Sequence, residues 1–359
     1  MSAQATLDLS RCRFCSEVSK ATGEDPIGTA GTCQHWLIVE LPLPWSEKLL
    51  LEPRTQPLIA ALKELIFKQG VLIRPLAIAP DPEYSTPGHI RTLYYRQPSR
   101  CFAHYSKQEF IVPEAEFPQL VSALLQQLRQ QPNELPRFER YLQATDTIRE
   151  LLVCTHGNVD AACARFGYPI YKQLRHDYAP QSEGKLRVWR CSHFGGHQFA
   201  PTLIDLPEGR YWGHLEPEVL DALVYRQGDV GKLRSFYRGW AGLSKFEQIV
   251  EREIWMQEGW NWLSYPKAGQ SQPRGIWGLL DRALSWIPVP MLQLWWRLQR
   301  QKAKQMRVRI DFRRSDAAVT EGYEAQVVAN GQVMSALQSG KEMALQPIQQ
   351  FLVRNLRKV

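Results

Sequence analysis

Four side chains that bind soft metals occur as two close pairs in the middle of the chain. Cys154 and Cys163 are separated by eight residues, and His193 and His197 by three. Thiolate and imidazole donors suit zinc and iron–sulfur centres. The spacing alone also allows separate packing roles, because a cysteine at the end of a strand is often a small core residue.

The residues between the two histidines favour a ligand-bearing loop over a helix. Gly195 and Gly196 are adjacent glycines, which disfavour a helix and let the backbone pass close to a bulky group. The gap of three residues between the histidines fits zinc. The gap of eight residues between the cysteines does not, because structural zinc sites usually place only about two to four residues there. The residue types and spacing therefore leave zinc and iron–sulfur as comparable alternatives.

The predicted elements bring both pairs to one edge of a sheet. Glu150–Cys154 and Leu186–Cys191 are predicted strands, and Ala161–Tyr178 is a predicted helix that Gly167 and Pro169 should break or restart. If the two strands are parallel, the loops that follow them leave the sheet at the same edge. All four donors could then converge on one point.

A similar order of elements is predicted twice along the chain. The first unit has strands at 36–43, 71–79 and 91–97 and helices at 57–69 and 120–128; the second adds a hairpin at 202–206 and 210–215 and a helix at 218–225. Both units approximate β-α-β-β-α, the skeleton of a thioredoxin-like domain. The sequence therefore predicts an α/β fold with mixed sheets in tandem thioredoxin-like domains, 1–145 and 146–225, followed by a C-terminal extension, 226–359.

The last third of the chain differs in composition from the rest. Eight of the twelve tryptophans lie between Trp240 and Trp296, and residues 226–359 contain 21 Lys and Arg against 11 Asp and Glu. We expect an apolar, proline-broken helical segment at 275–298, a strand pair at 307–312 and 323–328, and a final helix at 347–356.

Several roles are open for this Trp-rich, basic extension. Its tryptophans could bury against the rest of the protein as a helical cap, or residues 275–314 could contact an anionic membrane surface. Its positive charge could also steer an acidic electron-transfer protein toward docking. Nucleic acid is disfavoured because no recognisable binding motif accompanies the basic residues.

Composition points to a cytoplasmic protein. The sequence has no apolar stretch long enough to span a membrane and no secretory signal near Met1. The predicted location is therefore the cytoplasm, and the alternative is a cytoplasmic protein that associates peripherally with a membrane. Seven cysteines in a reducing compartment predict buried thiols or a metal site rather than a disulfide framework.

The segments that contain the cysteine pair and the histidine pair together resemble a known family. The Cys-x8-Cys pair followed by His-x-Gly-Gly-His-x-Phe-Ala is similar to the sucrase/ferredoxin-like family, as is 23–30 followed by 36–44. The resemblance covers about residues 10–225. It implies a thioredoxin-like ferredoxin domain whose [2Fe–2S] cluster is ligated by Cys154, Cys163, His193 and His197.

The resemblance favours iron–sulfur over zinc and implies electron transfer. The implied protein is a redox carrier. The histidine nitrogens not bound to iron should couple its single-electron chemistry to pH, and the basic extension favours an acidic ferredoxin or a reductase as its partner. The alternative is a zinc-stabilised interaction module without redox activity. No catalytic residue is predicted, and sucrose hydrolysis is rejected because Asp160, Asp177, Asp205 and Glu208 form no recognisable pair of glycosidase carboxylates.

The remaining cysteines and one histidine receive minor roles. Cys12-x-x-Cys15 and Cys33 precede the first predicted strand, and this position favours chance or packing over a redox site. Cys191 is expected to face the core. His156 is expected to form a hydrogen bond close to the metal site. Since no glycine-rich dinucleotide or P-loop motif occurs, neither NAD nor ATP is expected.

Overall fold

In the described part of the chain, two sheets and six α-helices form most of the regular structure. A computed structural model describes residues 13–53, 55–132, 134–273, 302–314, 320–340 and 343–359. The strands are β1 (His35–Glu40), β2 (Ile73–Ile78), β3 (His89–Arg96), β4 (Ser106–Pro113), β5 (Leu142–Gln143), β6 (Arg149–Cys154), β7 (Leu186–Cys191), β8 (Leu203–Leu206), β9 (Arg210–Trp212), β10 (Tyr237–Trp240), β11 (Lys267–Pro273), β12 (Gln305–Phe312), β13 (Glu321–Ala336) and β14 (Leu345–Lys358). The helices are α1 (Cys15–Ala21), α2 (Gln56–Gln69), α3 (Phe117–Leu128), α4 (Ala161–Gln173), α5 (Leu220–Tyr225) and α6 (Lys245–Glu258).

The larger sheet is mixed and extends through both predicted units. Its strand order is β10-β9-β8-β6-β7-β2-β1-β3-β4-β5. The pairs β1–β2 and β6–β7 are parallel, while β1–β3 and β6–β8 are antiparallel. The α/β class with mixed sheets is therefore confirmed.

The two units repeat one topology. Each runs β-α-β-β-β-α, with the strand order β2-β1-β3-β4 in the first and β7-β6-β8-β9 in the second. The predicted β-α-β-β-α order is thus one strand short, and the strand missing from the prediction is β4 of the first unit. The predicted hairpin of the second unit is confirmed as β8–β9. The assignment to thioredoxin-like domains and the boundaries at 145 and 225 stay predictions.

The units join where β2 meets β7. These strands pair antiparallel through Ile78 and Cys191, which makes one continuous sheet out of two repeats. Alternate residues of β1 face different cores: Leu37 and Val39 pack with α2 and α3, whereas Trp36 and Ile38 belong to the larger core.

The C-terminal third adds to both sheets. Strand β10 extends the edge of the larger sheet, and β11 to β14 form a separate antiparallel sheet in sequence order. The predicted pairing of 307–312 with 323–328 is confirmed, since Arg307 lies opposite Gln326. Three tryptophans of this third, Trp240, Trp255 and Trp262, are fully buried in the larger core.

The predicted final helix at 347–356 is wrong, because this segment belongs to β14. The long strand β13 lies antiparallel to it, with Pro347 opposite Met334 and Val353 opposite Val327. Pairing with β13 supplies backbone hydrogen bonds along one side of β14, so the tertiary partner overrides the local sequence preference.

The predicted membrane-contact segment falls mostly outside the described residues. Residues 274–301 lie there, and with them the predicted helical segment at 275–298. Among the residues that are described, no helix combines the length and the apolar character that crossing a bilayer requires.

Candidate metal centre

The cysteine and histidine segments leave the larger sheet at the same edge. Strands β6 and β7 are parallel and in register, so that Cys154 at the end of β6 lies opposite Cys191 at the end of β7. His193 follows Cys191 by two residues. The convergence predicted from parallel strands is therefore present for these segments.

Helix α4 carries the second cysteine back over the end of β6. Its N-cap is Asp160, whose Oδ1 accepts a hydrogen bond of 2.9 Å from the Ala162 amide. Cys163 occupies the third position of the helix. Gly167 lies so close to β6 that an added Cβ would be 2.1 Å from the Cys154 carbonyl oxygen. A glycine here lets the helix approach the strand.

The predicted break of this helix at Gly167 and Pro169 is wrong. Helix α4 continues through both residues to Gln173 and passes directly into one π-helical segment, Leu174–Tyr178. The glycine serves close packing rather than a turn. The proline is accommodated inside the helix.

Three of the four predicted ligands lie together. The ligand atoms of Cys154, Cys163 and His193 are all within 4.8 Å of one another. His193 Nδ1 is 4.0 Å from the sulfur of Cys154 and 3.8 Å from that of Cys163. Both thiols are buried, and His193 is half-buried. The three donors can hold one metal ion or one edge of a larger metal group.

The thiols of Cys154 and Cys163 interact with each other, and this interaction shifts their pKa values in opposite directions. Their mutual hydrogen bond lowers the pKa of Cys154 well below its usual value, although burial opposes this shift. The same hydrogen bond, with burial, raises the pKa of Cys163. Of the two, Cys154 is thus the thiol that more readily becomes a thiolate, which is the form in which both cysteines would bind a metal.

His197 lies beside this group but turns one nitrogen toward other partners. Its ring centroid is 5.4 Å from that of His193. Its Nδ1 is 3.2 Å from Asp160 Oδ2 and 3.4 Å from Cys15 Sγ. Burial lowers the pKa of His197, but the hydrogen bonds to Asp160 and Cys15 outweigh it and raise the pKa to about 9.

Cys15, Asp160 and His197 form a second donor group that the sequence did not reveal. Their ligand atoms also lie within 4.8 Å of one another. Asp160 had a local signal, since an aspartate before a helix is a common N-cap. Cys15 opens α1, far away in the chain, and nothing in its own surroundings pointed to His197. Cys33 lies elsewhere, with its thiol on the His35 carbonyl, and Cys12 is outside the described residues.

The histidine loop packs against a buried guanidinium at Gly196. Gly195 and Gly196 have φ values of 95° and 80°, which favour glycine. Arg238 Nη1 donates to the Gly195 carbonyl at 3.0 Å, and a Cβ at Gly196 would lie 2.3 Å from Arg238 Nη2. Arg74 donates to the Phe194 carbonyl at 3.1 Å. At Gly196 the backbone therefore passes close to the side chain of Arg238.

His156 contacts the backbone of the candidate ligand His193. It is buried, and its Nδ1 accepts a hydrogen bond of 3.4 Å from the His193 amide. Its Nε2 lies 2.9 Å from the Ser46 carbonyl, so the hydrogen is on Nε2. The hydrogen bond expected of this residue is therefore present.

A family comparison covers the part of the chain that contains these residues. A family model described as sucrase/ferredoxin-like matches residues 26–239, more than half of the chain. The chain belongs to the sucrase/ferredoxin-like family. No curated protein and no solved structure matches it. The family match includes Cys154, Cys163, His193 and His197 but neither Cys15 nor the C-terminal sheet.

The donors present in this sucrase/ferredoxin-like protein permit metal binding. Two buried thiols and an imidazole are soft or borderline donors, which suit zinc and iron–sulfur groups and not magnesium or calcium. The guanidinium of Arg238 lies close enough to interact electrostatically with both thiols. A buried positive charge here favours a group with negative charge.

Proposed function

We propose that this protein is an electron carrier that holds a [2Fe–2S] cluster through Cys154, Cys163, His193 and His197. The observation that supports this is the cluster of three of these donors within 4.8 Å, with the His197 ring beside them. Membership in the sucrase/ferredoxin-like family agrees with it. When bound, the cluster supplies one-electron chemistry.

The ligand set determines how easily the centre accepts an electron. Two neutral imidazoles in place of two thiolates remove negative charge, so that reduction becomes easier. Centres with two histidine ligands have potentials of about −150 to +300 mV, compared with about −400 mV for plant-type ferredoxins with four cysteines. Arg238 adds positive charge next to the thiols and acts in the same direction.

The surroundings of the site suit electron exchange at the surface. Cys154 and Cys163 are buried, while His193 and His197 are half-buried and lie on the solvent side of the group. An electron can leave through the imidazoles over a short distance. A ring nitrogen that is not bound to iron can gain or lose a proton, which couples reduction to pH.

The proposed partner is a redox protein, either an acidic ferredoxin or a reductase, in the cytoplasm. The excess of Lys and Arg in residues 226–359 supports an acidic partner through long-range attraction. Sucrose hydrolysis is not proposed. Asp205 and Glu208 are both buried and both pair with Arg226, which removes them as a free acid and base.

A zinc-stabilised interaction module is the second candidate. The compact trio of Cys154, Cys163 and His193 favours it, since one zinc ion binds its ligands within such a distance. The eight residues between the cysteines argue against it. In this case the metal would stabilise the second unit without redox activity.

The test is a spectrum and a metal count on protein purified without oxygen. We expect two irons and two sulfides per chain, visible bands that bleach with dithionite, and an EPR signal of the reduced protein. A colourless protein with one zinc and no iron would support the second candidate and end the proposal of electron transfer.

A further inference from the structure

The turn after β13 in the C-terminal sheet reaches the metal centre. Ser339 follows β13, and its Oγ donates a hydrogen bond of 2.6 Å to Asp160 Oδ1. Its amide donates to Asp160 Oδ2 at 2.8 Å. A segment outside the family match therefore binds the carboxylate that contacts His197.

Asp160 is held by several fixed donors at once. Its Oδ1 accepts from the Ala162 amide and from Ser339 Oγ, while its Oδ2 accepts from the Ser339 amide. The side chain is buried to 3 % exposure. Oδ2 then lies 3.2 Å from His197 Nδ1. These bonds fix the position of the carboxylate before any metal binds.

Cys15 completes the surroundings of this carboxylate. Its amide donates to Ser339 Oγ at 3.1 Å, and its thiol is 3.8 Å from Asp160 Oδ2. Cys15 packs in a small core with Ala162, Ala200 and Ala336, which come from three different parts of the chain. Helix α1 and the segment after β13 thus lie on the Nδ1 side of His197.

We infer that Asp160, held by Ser339, is a positioning residue that fixes His197 with its Nδ1 hydrogen on the carboxylate and leaves Nε2 free to bind metal. This inference rests on the proposed function. A histidine ligand commonly donates its second N–H to a carboxylate, which fixes the ring and makes the other nitrogen a stronger donor. The C-terminal sheet is accordingly part of the metal centre.

The arrangement has a measurable consequence for the potential. A carboxylate on Nδ1 adds negative charge and increases electron donation from Nε2, so it stabilises the oxidised centre. Asp160→Asn removes the charge but keeps an oxygen that can cap α4. Its potential should shift to a more positive value. Ser339→Ala loses one of the bonds that hold the carboxylate, and a smaller shift in the same direction is expected.

Strand β13 itself offers a matched control. Ser335 is buried in β13 and its Oγ donates to Glu24 Oε2, so it also joins the hairpin to a carboxylate near the N-terminus. Glu24 has no described contact with His197. Ser335→Ala should therefore leave the potential as in the unchanged protein.

The experiment uses the full chain in two states. Potentials are measured by EPR-monitored titration of the iron-loaded protein, and the Nδ1–H proton of His197 is observed by NMR of metal-free protein with labelled histidine, assigned with His197→Gln. We expect a downfield, exchange-protected signal that Asp160→Asn abolishes, Ser339→Ala weakens and Ser335→Ala preserves. An unchanged signal and potential in Asp160→Asn would overturn the inference. If purified wild-type protein contained no iron, only the proposed function would be refuted. The NMR spectrum of metal-free protein would still decide the role of Asp160.

Discussion

Cys154 and Cys191 lie opposite each other at the ends of two parallel strands, yet only Cys154 belongs to a donor group among the described residues. Both thiols are buried. Burial raises the pKa of Cys191 well above its usual value, whereas the hydrogen bond with Cys163 lowers that of Cys154. Neighbouring positions on one sheet edge therefore hold one candidate ligand and one inert core thiol.

The first prediction is that Cys163→Ala loses the metal. The variant leaves Cys154 and His193 with one donor fewer, and the lost stabilisation by the metal should lower the melting temperature of the protein. Cys191→Ala is the matched control, since it removes a buried thiol next to the site and should keep the full metal content. The check is metal per chain by mass spectrometry. Full iron in Cys163→Ala would show that this ligand is assigned wrongly.

The second prediction concerns His197→Cys. A thiolate in place of a neutral imidazole adds negative charge, so the variant should keep iron, with a potential shifted toward the value of about −400 mV of four-cysteine centres and a weaker dependence on pH. The new thiol would lie near Cys15, which is 3.4 Å from His197 Nδ1. The measurement is therefore made in a Cys15→Ser background, with Cys15→Ser alone as reference. A potential equal to that of the reference would exclude His197 as a ligand.

Local patterns in the sequence suffice for the part of the site that the larger sheet builds. Strands β6 and β7 follow from short apolar runs, and their parallel pairing explains why Cys154 and His193 meet. The order of elements in the second unit was predictable for the same reason. These features depend on residues that are close in sequence.

The remaining part of the site depends on contacts between distant segments. Cys15 and Ser339 are 324 positions apart and touch only because the β13–β14 hairpin returns to α1. The predicted final helix was wrong for a related reason, since β14 takes its conformation from β13. No local pattern contains either partner, so the sequence favours chance or packing for Cys15 and indicates no role for Ser339.

The third prediction compares the two glycines of the histidine loop. Gly195→Ala meets no atom within 4 Å, so its cost is the strain of a positive φ, about 1–3 kcal/mol. Gly196→Ala carries the same strain and must also displace the guanidinium of Arg238. Urea unfolding should show a larger loss of stability for Gly196→Ala. Equal losses would mean that Arg238 moves away without cost.

The fourth prediction follows from a buried lysine in the C-terminal third. Lys267 is fully buried, and its Nζ lies 4.9 Å and 5.0 Å from the ring centroids of Trp240 and Trp262. Burial lowers its pKa to about 7; repulsion from Arg210 adds to this and attraction to Glu251 opposes it. In the unfolded chain the pKa of a lysine is about 10.4.

Between these two pKa values the unfolded chain binds more protons than the folded one, so Lys267 makes the free energy of unfolding rise with pH by at most about 1.4 kcal/mol per unit. Lys267→Met should reduce that slope between about pH 7 and 10 and leave it unchanged below pH 6, where both states carry the proton. Exposed Lys68, replaced by Met, is the control. Other groups titrate equally in both variants, so the difference in slope measured by urea unfolding reports Lys267. If Lys267→Met has the slope of the Lys68 control, the folded protein keeps this lysine charged, and the two indole rings stabilise its ammonium group despite burial.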